Sequence, residues 1–204
     1  MCSGMNALLA AVVLSLPASA EAALGAPALR LDGQAHALLL DTRLADYQWR
    51  TSPRPAFGAA CFVELGPLGL GARGDLTRTT ERLADLSPQV RLLRREALLR
   101  LSMLDLAGTR VVLEGSYGRT RVEFSPANVA MLGTEVALPS VEAPSGGVGL
   151  GFEHRAHSLV LGLHAEQSFL RLATAHVRDQ EPVEAEIWFA NQRLVLSLGW
   201  RLGL

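Results

Sequence analysis

Lysine is missing from this 204-residue chain: all 19 of its basic residues are arginine, and isoleucine occurs only at Ile187. Such a bias, with abundant Ala, Leu and Gly, points to a GC-rich coding constraint. Leu, Val and Ala then stand where other chains place Ile, Thr or Tyr in strands, so weak β-propensity counts less against a strand. Cysteine is almost as scarce. Cys2 falls in the leader described below and Cys61 stands alone after it, which excludes an intramolecular disulfide. With no CxxC and no Cys/His cluster, a structural zinc or thioredoxin-type site has no support. The formal net charge is -1 and the arginines are scattered among acids, so no electrostatic footprint for nucleic acid exists. No apolar run approaches the roughly 20 residues of a membrane-crossing helix. GxSxG is absent, and Gly147, Gly149 and Gly151 are followed by no P-loop lysine.

What is present begins with an address. Ala7 to Leu16 is a continuous apolar run, followed by Pro17 and the small-residue segment Ala18-Ser19-Ala20-Glu21-Ala22. This reads as a cleavable signal peptide over 1–22, leaving 23–204 as one domain. No basic residue precedes the run, which is off-pattern. The rival reading is an N-terminal core helix; Cys2 lies before the run, which disfavours a lipoprotein.

The remaining chain is apolar, and alternation at period two uses that apolarity. Ala28 to Leu40 sets Leu29, Leu31, Ala35 and Ala37 against Arg30, Asp32, Gln34 and His36. Phe57 to Leu65 and Leu68 to Leu76 alternate likewise around Gly66-Pro67 and read as a hairpin. Arg91 to Leu104 is ambiguous, because Val90, Leu93, Ala97, Leu101 and Leu104 also make a helical stripe. A strand is preferred there, since Ala107-Gly108 turns directly into the alternating segment Arg110 to Phe124. Gly147 to Arg155, Leu159 to Leu170 and Arg193 to Leu204 complete eight strands.

Connections alternate in length: 41–55, 78–89, 125–146 and 173–187 are long, whereas 66–67, 105–109 and 155–158 are short. Transmembrane barrels show this asymmetry, with both termini on the short-turn side. Strands crossing a bilayer must close on themselves, because hydrocarbon offers no partner for an unpaired backbone group. The expected fold is therefore all-β, a closed antiparallel up-and-down barrel of about eight strands. A soluble lipocalin-like barrel is the rival and would turn its apolar face inward. Tyr47, Trp49, Trp188 and Phe189 sit where an outer aromatic girdle would lie, and Trp200 where an inner one would.

If the apolar face meets lipid, the lumen receives Arg30, Asp32, His36, Glu64, Arg73, Asp75, Glu96, Arg100, Glu114, Glu153, Glu166 and Arg201. An eight-stranded barrel is only wide enough for its own side chains, so these charges are expected to pair and plug it. His36 with Asp41, and Ser168 with His164 and Glu166, are the only hints of hydrolase chemistry, and both histidines read more simply as lumen hydrogen-bonding residues. Inward glycines such as Gly147, Gly149 and Gly151 would make room for long neighbours.

On these residues the chain resembles the small outer-membrane β-barrel proteins of Gram-negative bacteria, over about Ala28 to Leu204. The carboxyl end carries the family's assembly signal at Ser197, Gly199, Leu202 and Leu204, departing from it in ending on leucine instead of an aromatic residue. The resemblance implies export to the outer membrane, contact with its lipid, and recognition by barrel-assembly machinery. It implies no cofactor and no nucleic-acid partner, and a monomer is expected. Members of this family are anchors, adhesins, narrow channels or lipid-modifying enzymes. A non-enzymatic structural or surface-interaction role is the leading expectation. A narrow channel or carrier of small hydrophobic molecules stands next, and a lipid A hydrolase or transferase last.

Overall fold

The computed structural model describes residues 26–47, 49–80, 87–131, 134–138, 140–178 and 181–203. In chain order these form β1 (Ala28–Leu39), a 3-10 turn (Thr42–Tyr47), β2 (Arg54–Leu65), β3 (Leu68–Thr80), β4 (Gln89–Leu106) and β5 (Thr109–Ser125). The short β6 (Asn128–Met131) and β7 (Thr134–Ala137) follow, then β8 (Val141–Ala156), β9 (Leu159–Arg178) and β10 (Glu181–Gly203). Eight of these strands close into one antiparallel barrel, ordered β1-β10-β9-β8-β5-β4-β3-β2, while β6 and β7 form a separate hairpin. Closure is made by β1 against β10, with Arg30 opposite Arg201 and His36 opposite Val195.

Each strand splits its side chains by parity. Leu31, Phe57, Leu99, Val148, Leu161 and Leu196 face outward and are exposed, whereas Arg30, Asp32, Arg73, Glu96, Arg100 and Glu153 face inward and are buried. The apolar face is thus the outer one, opposite to a lipocalin-like arrangement. An exposed apolar surface of this extent goes far beyond what a water-soluble monomer carries. Tight turns join the strands at the end where both termini lie. Gly66 (φ 58°) and Gly108 (φ 81°) supply the positive φ that such turns need.

One ambiguity resolves as expected, and two expectations change. The ambiguous segment Arg91 to Leu104 lies inside β4 and is strand, the preferred reading, its apparent helical stripe being divided between the two faces: Val90 is buried inside, whereas Leu101 and Leu104 are exposed outside. The connection expected at 173–187 is instead the upper part of the β9–β10 hairpin, paired from Glu181–Arg178 down to Trp200–Leu159. The sequence there keeps a period of two, with Ala173, Ala175 and Val177 against Thr174, His176 and Arg178, which a reading by charge density alone passes over. The outer girdle is also smaller than expected. Trp188 and Trp200 do face outward, but Trp49 and Phe189 are buried inside the barrel.

Their burial reveals a second interior. At the long-loop end, Leu38, Leu40, Val90, Leu92, Val122, Ala143, Leu170, Leu172 and Phe189 form one apolar cluster, into which Leu44 and Trp49 descend from the first long connection. That connection is fastened at several points. Trp49 N donates to Leu44 O at 3.0 Å, Arg50 N to Thr80 O at 2.9 Å, and Thr79 Oγ1 to Arg50 O at 2.8 Å.

Candidate functional site in the charged lumen

Below the apolar cluster the lumen is ionic. Alternation along β1, β2, β3, β4, β5, β8, β9 and β10 aims every second side chain inward, and closure brings these together across the axis. Most of them are polar at this level, beside a few apolar ones such as Phe62, Leu98 and Val112. The lower tier centres on Glu153. Its carboxylate accepts from Arg30 Nη1 at 2.8 Å, Arg100 Nη1 at 2.7 Å and Arg110 Nε at 2.9 Å, with His164 Nε2 at 3.4 Å. Arg30 is also held in a two-pronged contact by Asp32, at 2.6 and 2.7 Å. Glu64 accepts from Arg110 at 2.8 Å and from Arg201 at 2.7 Å. Phe62 closes this tier, its ring centroid 3.9 Å from the Arg100 guanidinium, a cation–π distance.

The upper tier centres on Arg73, which reaches Glu96 at 2.6 Å, Glu114 at 3.0 Å and Glu166 at 2.9 Å. Arg193 bridges Asp75 at 2.9 Å and Glu166 at 3.3 Å, and donates to His36 Nδ1. Arg94 lies 3.7 Å from Glu96 and 3.9 Å from Glu166. Glu114 joins the tiers, since its second oxygen accepts from Arg100 at 2.6 Å. Removing so many ions from water is costly, and charge-assisted contacts of this length are what offset that cost.

All twelve lumen residues expected from the sequence face inward and lie in this network, with Arg201 the least buried of them. On their own they are unbalanced, four arginines against seven carboxylates. Arg94, Arg110 and Arg193 bring the ion-paired set to seven arginines (30, 73, 94, 100, 110, 193 and 201) for seven carboxylates (32, 64, 75, 96, 114, 153 and 166). Arg54, in the inward phase of β2 with Nε and Nη2 buried and without a hydrogen bond, adds a cation outside that set. Parity alone would have found the three that join it. Arg94 shares the phase of Glu96, Arg110 that of Glu114, and Arg193 that of Ser197.

Small residues create the room. A Cβ on Gly147 would stand 2.6 Å from Glu166 Oε1, and one on Gly151 would strike the His164 ring. At Gly199 the same atom would collide with Asp32 Oδ1 and stand 3.0 Å from Arg30 Nε. Of the assembly-signal residues, Ser197 and Gly199 therefore face the packed lumen, while Leu202 faces outward. Leu204 and the leader at 1–22 lie outside the described residues.

The hydrolase hints do not assemble. Ser168 Oγ is 3.5 Å from Arg94 Nη2 and 3.5 Å from Asn191 O, and no serine–histidine hydrogen bond occurs among the described residues. His36 is engaged by Arg193, whereas Asp41 sits in the first long connection. There Asp41 accepts from Arg43 Nη2 at 2.6 Å and from Ala190 N at 2.7 Å. The Arg43 hydrogen bond holds its carboxyl well below the usual range, at about 2. Among the described residues no group of three His, Cys, Asp or Glu side chains is placed to hold a metal ion.

A closed barrel of eight strands, apolar outside and ionic within, defines the fold of the small outer-membrane β-barrel proteins, and this chain has that fold. Neisserial surface protein A superposes with a TM-score of 0.52 at 12% identity, over 87% of this chain and 97% of its own. The outer membrane protein OprG from Pseudomonas aeruginosa gives 0.50 at 8% identity, over 88% and 97%. No family model matches the chain, and no curated protein matches it in sequence.

Proposed function

We propose that this chain is an integral outer-membrane barrel with a closed interior, acting as a non-enzymatic structural or surface-interaction protein. One observation carries the reading: the barrel strands pair an outward apolar face with an inward side on which seven arginines are ion-paired with seven carboxylates. An apolar exterior is stable only in lipid. Buried ions paired at these distances need no water column to solvate them.

The termini and tight turns then lie in the periplasm, with the long connections outside. Outer-membrane lipid is the surrounding partner, barrel-assembly machinery acts through the carboxyl-terminal strand, and the barrel is a monomer. Under this reading the first connection serves as a plug, Leu44 and Trp49 filling the mouth that a channel would leave open. Heat-modifiable gel migration combined with membrane fractionation tests the placement. A folded band that shifts on boiling and sediments with outer membranes is the expected result, and a soluble periplasmic protein indifferent to boiling would overturn it.

A further inference from the structure

The outer face carries one feature that the closed lumen does not account for. On β3, β4 and β5 the outward positions just above the apolar band are arginines: Arg78, Arg91, Arg95, Arg119 and Arg121. Arg78 stands directly opposite Arg91 in the β3–β4 ladder, and Arg95 directly opposite Arg119 in the β4–β5 ladder. Side chains so placed have Cβ atoms about 5 Å apart, and like charges there repel. Glu123 lies 3.0 Å from Arg121 and Glu142 lies 3.5 Å from Arg119, which leaves the two carboxylates engaged with that half of the patch. Among the described residues Arg78, Arg91 and Arg95 form no salt bridge, although Glu123 is the ladder neighbour of Arg91. Five cations against two anions leave the patch short of negative charge.

Height and surroundings say what supplies it. Below Arg95 on β4 the outward residues are Ala97, Leu99, Leu101 and Met103, so Arg95 stands on the order of 20 Å above Met103 for a tilted strand. That places the guanidinium groups at the edge of the hydrocarbon layer, where headgroups lie. The opposite wall at comparable height carries a single outward cation, Arg171 on β9, beside the uncharged Gln192 and Trp188 on β10 and Phe169 on β9, against five on β3–β5. Guanidinium pairs match phosphate oxygens geometrically and prefer them to a point charge. We infer that the β3–β5 face binds the phosphate groups of outer-leaflet lipids, whose acyl chains lie along the apolar band beneath. This rests on the membrane placement proposed above.

The test uses the full chain refolded into phosphatidylcholine nanodiscs containing a minor fraction of either bisphosphorylated lipid A or its dephosphorylated form, with co-retained lipid quantified by mass spectrometry. Enrichment of the phosphorylated lipid by roughly tenfold over the dephosphorylated one is expected, falling to parity in the Arg78→Gln/Arg91→Gln/Arg95→Gln variant. Boiling-dependent migration of that variant shows whether it is folded. Should it fail to fold, the single variant Arg91→Gln is used, with a partial loss expected. Wild-type barrel that inserts but retains both lipids equally overturns the inference and leaves the membrane placement standing. Full competition by millimolar inorganic phosphate would assign the patch to free phosphate and overturn the lipid assignment. Failure to enter any bilayer would remove the placement and the inference together.

Discussion

The two halves of the barrel interior solve one packing problem with opposite chemistry. In the half nearest the termini, seven arginines and seven carboxylates fill the lumen with short ionic contacts. In the half nearest the long connections, Leu38, Leu92, Leu170 and Phe189 fill it as an ordinary core, capped by Leu44 and Trp49. The ionic half fixes partners, because each guanidinium fits its own set of carboxylates and a lost partner strands a buried charge. The apolar half is more tolerant, and it can accept a cap contributed by a loop. The difference teaches that closure at the outer mouth depends on burial of a folded connection, whereas closure nearer the termini is built into the strands.

That contrast can be broken at several points. The largest effect is expected from Glu153→Leu, which removes the shared partner of Arg30, Arg100 and Arg110. A loss of about 3–5 kcal/mol follows from stranding buried charge, read from urea unfolding of the refolded barrel by its gel shift. Phe189→Ala in the apolar half should cost about 3–4 kcal/mol by the same readout, as a cavity penalty. Unlike Glu153→Leu, that loss should be recovered in large part by a bulky apolar replacement such as Phe189→Leu, which refills the cavity and gives up only the contact of the Arg43 guanidinium with the ring, 5.6 Å from its centroid. Gly199→Val tests the room beneath the Arg30–Asp32 pair. Overpacking there should cost about 1–3 kcal/mol and displace that pair, with slower refolding as a second readout.

The smallest effect concerns the cap. Asp41 is depressed to about 2 from an ordinary 3.8 chiefly by its hydrogen bond to Arg43. A depressed carboxyl contributes stability that is present above the ordinary value and lost as pH falls through the folded one. The first connection should therefore loosen between about pH 4 and pH 2, seen as increased solvent quenching of Trp49 fluorescence in a variant with the other tryptophans replaced by phenylalanine. Asp41→Asn should remove that transition and leave the barrel folded.

Legibility in the sequence followed the same division. Strands of the ionic half were readable because a charged lumen residue alternates with a lipid-facing leucine, as in Leu29-Arg30-Leu31-Asp32. Arg94, Arg110 and Arg193 were missed where that contrast fails. Arg94 is followed by Arg95, which faces outward, so two adjacent arginines conceal the phase. Gln192 does the same beside Arg193, and Arg110 begins a segment immediately after a turn. The apolar half was unreadable as lumen because Leu38-Leu39-Leu40 and Leu92-Leu93 are apolar on both faces. The β9–β10 extension reads as a loop because of its density of charged residues and Pro182, although Ala173, Ala175 and Val177 alternate with Thr174, His176 and Arg178. Trp49 and Phe189 were assigned by position along the chain, which places a residue at a height but not inside or outside.

Single-channel recording in planar bilayers tests the closed interior most directly, using refolded protein whose boiling-dependent migration establishes that it is native. The account predicts a flat baseline in symmetric molar potassium chloride, because buried ion pairs are screened far less by salt than exposed ones. Uniform, reproducible conductance steps from the wild-type barrel would contradict it.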